Sequence, residues 1–462
     1  MRTDLRTHLG THGALFILGL VVFSTVAWDR LGQQSSDPHF VYQADAWLHG
    51  HLQIKKMPPG SDDPARVEVV VLRNGETARG RRLRSRRFFR TTQGLEIPIA
   101  EVKRTVKTIE YCSFPPVPAL LMIPQVALSG TCANDVGLTV FFAALLLPLM
   151  FSVLSLLGES GDSTRTRGEN LWLTILFGFG TVLFFSAVQG RVWFTAHVIG
   201  IFFALLYVRF SLGARRPILA GFALGLAALT RTPMAFMFPL FLFQAWNVYQ
   251  NDRKQDDSAA GSTRKLLITI TQFSVPIIIL AGLAIAHNIV RFDHATEFGH
   301  SYLAVRQQAQ IETHGLFSID YLGRNLTVLL TLLPRLGDET VWIKISGHGL
   351  AIWVTTPVLL LLLWPRQKPV LARHLWISVT LVAIPTLFYQ NSGWVQFGYR
   401  FALDYIVLLI ALLAIGGRPL NRGFKILIII SISINLFGAI TFGRYPQYYQ
   451  TDNRTYSGII RN

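Results

Sequence analysis

The sequence predicts an all-α polytopic membrane protein with outside juxtamembrane helices and a small β-rich insert in its first outside loop. Three observations predict it. Hydrophobic residues make up 51% of the 462 residues and charged residues only 15%, against about 25% in ordinary soluble domains. The apolar residues gather into runs near the roughly 20 that cross a bilayer as a helix. Lys and Arg fall between those runs in a regular alternation. The net charge of +17 is scattered between apolar runs, which speaks against a nucleic-acid partner and for membrane lipids. Two cysteines are too few for a disulfide framework or a multi-cysteine metal site.

Eleven runs read as spans, near 13–28, 134–157, 171–188, 193–209, 217–230, 233–249, 266–287, 348–364, 374–390, 401–416 and 425–443. The first lacks a small-x-small cleavage signature before Trp28 and reads as a retained anchor. The pair at 217–249 is broken by Arg231 and Pro233 and reads equally as one bent hairpin. With the N-terminus inside, every inside loop carries at least two Lys or Arg. The short outside turns carry one each: Arg191, Arg231 and Arg400. That asymmetry sets the N-terminus inside and the C-terminus outside. It suits a multi-pass protein of a bacterial inner membrane. The organisation follows: 1–50, first span and juxtamembrane helix; 51–110, outside insert; 111–443, transmembrane domain with a second outside loop at 288–347; 444–462, an outside tail.

The first outside loop opens with DPHFVYQADAWLHG at 37–50. Pro38 suits the first turn of a helix and Asp37 its N-cap. Phe40, Val41, Ala44, Trp47 and Leu48 form one apolar stripe, so the helix is expected to lie on the membrane surface and to stop at Gly50. In the insert, Val67–Leu72 reads as a strand, Arg73-Asn74-Gly75-Glu76 as a turn, and Glu96–Val106 as further extended chain. The stretch 78–90 holds seven arginines. They read as a solvated face, as attraction for anionic lipid head groups, or as a grip on an anionic acceptor. The loop closes with a second surface segment rich in proline, flanked by Cys112 and Cys132. If that segment is helical, the two Cα atoms stand roughly 30 Å apart at about 1.5 Å per residue, beyond the disulfide reach of about 7 Å. Two thiols are expected.

These residues resemble the GT-C superfamily of integral-membrane glycosyltransferases, which includes protein O-mannosyltransferases and lipid A aminoarabinose transferases. The likeness starts with an apolar anchor and an acid at the start of a surface helix, followed by Tyr42, Ala44 and a Pro-Pro-Val-Pro segment. It continues through GFALGLAALTRTP at 221–233, HNIVRFDHATEFGHSYL at 287–303, GLFSIDYLGRNLTVLLTLLP at 315–334 and GWVQFGYRFALDY at 393–405. It runs in order from about residue 13 to 410. The insert is not part of the common core, and Pro38-His39 stands where the superfamily carries a second acid.

The resemblance implies a GT-C-like fold and an inverting enzyme. It would move a sugar from a polyprenyl-phosphate donor to a lipid, glycan or protein acceptor on the outer side. Such chemistry needs a base, a cationic site for the leaving phosphate and a greasy groove. Asp37 is the expected general base, with Asp45 two turns on to orient the acceptor. Arg231, Arg400, Arg291 and Arg191, at outside membrane edges, are the expected phosphate ligands, since guanidinium grips phosphate at two points. His39, Tyr42, Asn288, Trp394, Gln396 and Tyr399 are expected around the substrate; an aromatic belt explains the Trp and Tyr equally well. No metal or other cofactor is expected. Asp37, His39, Asp45 and His49 allow a divalent ion, but their spacing is not diagnostic, and His287, His294, His300, His314 and His348 match no compact ligand pattern. Asn325-Leu326-Thr327 and Asn453-Arg454-Thr455 are glycosylation sequons by pattern. Two other classes fit the composition: a transporter or lipid flippase, and a non-catalytic envelope-assembly protein. A transporter should show paired halves and charges near the midplane, and no repeat is evident.

Overall fold

The computed structural model describes residues 2–55, 64–84, 87–255, 259–303, 305, 307–337 and 341–450. The chain is mostly helical, with one five-stranded sheet. Five helices are long and apolar enough to cross a membrane. The sequon at Asn453 lies outside the described residues.

Apolar helix α1 (Arg2–Val26) leads through the short α2 (Trp28–Leu31) to α3 (His39–Leu48), most of whose residues are buried within the protein. α3 ends as its sequence requires, with Gly50 at a φ of +72°, a conformation that costs other residues a Cβ clash. Its start differs from expectation. The N-cap is Pro38, and no side chain caps the helix. The Asp37 carboxylate is thereby left for other partners. α4 (Val117–Ser129) lies against α3. Their shared core holds Phe40, Val41, Ala44, Phe114, Ala119 and Met122. Cys112 and Cys132 flank α4 and form no disulfide.

Between α3 and α4 the insert folds as an antiparallel sheet in the order β4-β3-β2-β1-β5. The strands are β1 (Ala65–Leu72), β2 (Thr77–Arg82), β3 (Phe88–Thr91), β4 (Glu96–Pro98) and β5 (Val102–Tyr111). Val70, Leu72 and Phe89 close its small core. The described arginines of 78–90 are largely spoken for. Arg82 pairs with Glu68 at 3.0 Å and Arg90 with Glu96 at 2.6 Å, both within the sheet. Arg79 pairs with Asp293 at 3.0 Å and Arg81 with Glu312 at 3.2 Å. These last two tie the insert to the 288–347 segment, with Ala65 bridged to Leu303 and a core of Ala65, Val67, Tyr111, Phe292 and Tyr302.

The membrane domain follows: α5 (Asp135–Glu159), α6 (Arg167–Phe179), α7 (Leu183–Ala187), α8 (Val192–Ser211), α9 (Pro217–Ala228), α10 (Pro239–Gln255) and α11 (Ala259–Phe292). Asn134 caps α5, and a Thr166–Glu169 capping box starts α6. α8 is mostly buried, whereas little of α11 is fully buried. Chain breaks at Thr230–Pro233 separate α9 from α10, as the sequence suggested. After α11 come α12 (Gln308–His314) and α13 (Leu322–Leu330), then β6 (Arg335–Leu336) and β7 (Ile343–Ser346). They are followed by α14 (Ile352–Thr355), α15 (Val370–Leu387), α16 (Ile406–Ile415), α17 (Arg422–Thr441) and β8 (Tyr449–Gln450).

Four expected spans are interrupted, among them 233–249, which opens with a 3₁₀ stretch over Thr232–Met237. The run at 171–188 breaks after Phe179 into α6 and α7. The run at 348–364 forms only α14 and a 3₁₀ stretch from Pro357 to Leu363. The run at 401–416 opens with a 3₁₀ turn over Arg400–Asp404. Pro357 cannot donate a helical hydrogen bond, and the breaks satisfy each other's backbone. Thr356 Oγ1 donates to the Gly180 carbonyl at 3.1 Å, and Asn435 Nδ2 donates to the Thr355 carbonyl at 2.6 Å. Gly398 fits between the two breaks, because a Cβ there would stand 2.7 Å from both Thr355 and Val182. That close approach fixes where Arg400 begins.

Candidate active site at the start of α8

The first two turns of α8 collect residues that lie far apart in the sequence. The Val192 N–H donates to the Asp37 carbonyl at 3.0 Å, which pins the Asp37 segment to the helix start. Arg191 Nε stands 3.6 Å from Asp37 Oδ2. The Ser36 hydroxyl donates to the same oxygen at 2.6 Å. Both contacts fall on Oδ2, so Oδ1 is left without a partner among the described residues. Asp37 is 8% exposed. One residue further, Trp193 faces His39, with ring centroids 6.4 Å apart. His39 also meets Phe114 edge-on at 5.5 Å.

Phe194 lies under Arg400, whose guanidinium carbon is 5.4 Å from the ring centroid. His197, one turn on, bonds Asp404 Oδ1 through Nδ1 at 3.1 Å. Asp404 in turn receives Arg231 at two points: Nε to Oδ1 at 3.0 Å and Nη2 to Oδ2 at 2.7 Å. Arg231 and Arg400 flank one ring, Phe401, with guanidinium carbons 5.4 and 5.6 Å from its centroid. Asp37 with Arg191, and Arg400 with Arg231, therefore reach the same stretch of α8. Asp404 and His197 were not among the residues read from sequence. The available signal was an acid in an otherwise apolar run, since an ionisable group at membrane depth is costly enough to be a functional suspect.

The other expected residues take different roles. Arg400 is 4% exposed and donates to the carbonyls of Gly393 and Val395. Gln396 is fully buried. Its Nε2 donates to the His348 and Ser392 carbonyls at 2.8 Å, and its Oε1 accepts from the Arg400 N–H at 2.9 Å. It frames Arg400 rather than lining a pocket. Tyr399 is also fully buried, 5.9 Å from the Phe401 ring. Trp394 packs on His348 at 4.8 Å. Arg291 is pinned: Nη1 donates to the Cys112 carbonyl at 2.8 Å and Nη2 to Asn288 Oδ1 at 3.1 Å. Asn288 itself donates to the Ala295 carbonyl at 3.1 Å. These two residues brace the end of α11 against the α4 lead-in. Asp45 lies on the wet side of α3, where His49 Nδ1 is 3.6 Å from its carboxylate. Tyr42 is packed in the α3–α4 core, and burial pushes its hydroxyl pKa up.

His300, from the segment after α11, reaches the same aromatic cluster. Its ring lies 6.1 Å from Phe114 and 6.2 Å from Tyr389. Burial, then Arg231 and Arg291, push its pKa down to about 4. Beside the site, a cavity of about 440 Å³ opens among Trp47, Val117, Leu120, Leu226, Leu229, Leu280 and Leu283, with His51 and His287 also on its wall. It is lined almost entirely by apolar side chains. The Val117 N–H donates to the Leu229 carbonyl at 3.3 Å, so the cavity wall runs directly into the turn that carries Arg231. No group of three or more His, Cys, Asp or Glu suited to a metal occurs among the described residues. No protein family, curated protein or solved structure matches the chain.

Proposed function

We propose that the chain is a GT-C-like membrane glycosyltransferase that moves a sugar from a polyprenyl-phosphate donor to an acceptor at the outer surface of a membrane. The single observation that carries this reading is the convergence at the start of α8. A carboxylate with one unpartnered oxygen, Asp37, shares that helix end with Arg400 and Arg231. The adjoining apolar cavity of about 440 Å³ supports the same reading, because an isoprenoid chain needs a greasy groove next to its phosphate. On this reading Asp37 Oδ1 takes the proton of the acceptor hydroxyl. The acceptor oxygen attacks the anomeric carbon, the bond to the phosphate oxygen breaks, and polyprenyl phosphate leaves against the arginines. Inversion follows from a single displacement.

The same proposal extends the five apolar helices to eleven membrane passages, with short helices and broken segments completing the remainder. It sets the N-terminus inside, and the insert and second loop outside. The test is transfer or slow hydrolysis of a panel of polyprenyl-phosphate-linked mannose, glucose and arabinose by the purified chain in detergent. Turnover of one of them, lost in Asp37→Asn, supports the reading. Absence of turnover across the panel, with membrane extracts supplied as acceptor, contradicts it.

A further inference from the structure

His300 is held in place more firmly than a loop residue needs. Gly299 before it takes a φ of +104°, and a Cβ there would stand 2.9 Å from the Phe292 ring and 3.0 Å from Ala65 Cβ. The insert therefore touches the turn that presents His300. Leu303 is bridged to β1 at Ala65, and Tyr302 stacks on Phe292 at 5.3 Å. The Arg79–Asp293 and Arg81–Glu312 pairs clamp the loop on either side. Glu297, the nearby acid, is spent on the Gly299 N–H at 2.6 Å and on the Ser301 hydroxyl.

The ring so positioned is walled by Phe114, Phe298 and Tyr389. Its Nδ1 is closed to solvent and has no hydrogen-bond partner among the described residues. Buried polar atoms are paired in the great majority of cases, and the exceptions cluster where a ligand supplies the partner. The charged groups near enough to act on the ring are Arg231 from the α9–α10 turn, paired with Asp404, and Arg291 from α11, which donates to Cys112 and Asn288. Both are cations, so an anion is the partner that the surroundings favour. We infer that His300 is a ligand-contacting residue that donates a hydrogen bond from Nδ1 to the phosphodiester of the lipid-linked donor. This rests on the glycosyltransferase reading and deepens it. The insert thereby becomes the support of a donor contact, where sequence alone suggested a part concerned with the acceptor.

An anion against the ring also favours its charged form. In the empty site burial and two arginines keep the imidazole neutral. A bound phosphodiester raises its pKa, so binding takes up a proton and strengthens as the pH falls.

The probe is methyl farnesyl phosphate, a diester whose single charge is fixed near neutrality, added to the full chain in detergent with affinity followed by tryptophan fluorescence. The wild type should bind, and more tightly at about pH 5.5 than at about pH 7.5. His300→Leu should weaken binding roughly tenfold to a hundredfold, the size of a hydrogen bond to a charged group. His300→Asn, which keeps a donor near Nδ1, should bind within a few-fold of the wild type but lose the pH dependence. Binding by His300→Asn with a wild-type pH slope, or by a folded His300→Leu with wild-type affinity, overturns the assignment of His300 and leaves the donor reading standing. No binding by the wild type at either pH overturns the donor reading and this inference together.

Discussion

Arg231 and Asp404 form a two-point ion pair, 3.0 and 2.7 Å, with the aspartate fully buried and His197 on the same carboxylate at 3.1 Å. The pair joins the α9–α10 break to the 3₁₀ turn that carries Arg400. On the proposed function, Arg231 would meet a phosphate while still paired with Asp404.

Removing one member of such a pair leaves the other charge buried. Asp404→Asn should therefore cost about 3–5 kcal/mol of stability, read as a large drop in the detergent melting temperature. Arg231→Lys should also be damaging, because an ammonium lacks the planar fork that sets two parallel hydrogen bonds on a carboxylate. A melting temperature unchanged in Asp404→Asn would contradict the structural role given to the pair.

Of the Arg79–Asp293 and Arg81–Glu312 ion pairs between insert and second loop, Arg81–Glu312 is the more buried, with side chains 8% and 13% exposed. Glu312 also accepts from the Arg84 N–H at 3.0 Å. Glu312→Gln should raise amide hydrogen exchange across 293–314 while leaving the membrane helices as protected as before. A double-mutant cycle with Arg81→Met should give a coupling of about 1 kcal/mol or more. Additive effects would show that the insert and loop are held together elsewhere.

Asn325 heads a glycosylation sequon, yet it is fully buried. Its Nδ2 donates to the Leu387 and Tyr389 carbonyls, each at 2.8 Å, closing the end of α15. Expression through a eukaryotic secretory route should leave Asn325 unglycosylated in the folded protein, as read by mass spectrometry of the tryptic peptide. Occupancy at Asn325 would show that this segment is open.

Arg444 clamps Asp29 with its side chain and also donates to the Val26 carbonyl at 2.6 Å. The Asp29–Arg444 hydrogen bond holds the Asp29 pKa below the usual carboxylate value, against a smaller opposing effect of burial. A carboxylate with a lowered folded pKa stabilises the fold above its unfolded pKa, and that contribution is lost as the pH falls through the folded value. Asp29→Asn should thus lower the melting temperature near neutral pH, by about 1 kcal/mol of stability for a half-buried pair still screened by solvent. The two proteins should converge in acid. A difference that persists below about pH 2 would rule the ion pair out as its cause.

Much of this was legible in the chain. The α3 stripe and its glycine stop, the β1 strand and its Asn74-Gly75 turn follow from local rules and emerge near their expected bounds. The apolar runs signalled a membrane protein because composition alone decides that. The broken segments were harder, because hydropathy sums over a window and hides a single Pro357 or Gly180. The neighbouring segments that satisfy those breaks lie more than a hundred residues away. The candidate site was half visible. Asp37, Arg231 and Arg400 stood out by position, whereas Asp404 and His197 became meaningful only once α8 brought them together. Gln396 and Asn288 looked like pocket residues, since a sequence does not show which carbonyls a side-chain amide will meet.

The central claim is that Asp37 is a base working opposite the arginines of the α8 site. The most direct measurement is single-turnover sugar transfer by Asp37→Asn with a lipid-phosphate donor that the wild type uses, alongside donor affinity for the same variant. Donor affinity should stay within a few-fold of the wild type while the rate falls by roughly 10²–10⁴, the usual range for a general base. Transfer at a near-normal rate by a folded Asp37→Asn would contradict it, and would leave Asp37 as no more than the partner of Arg191.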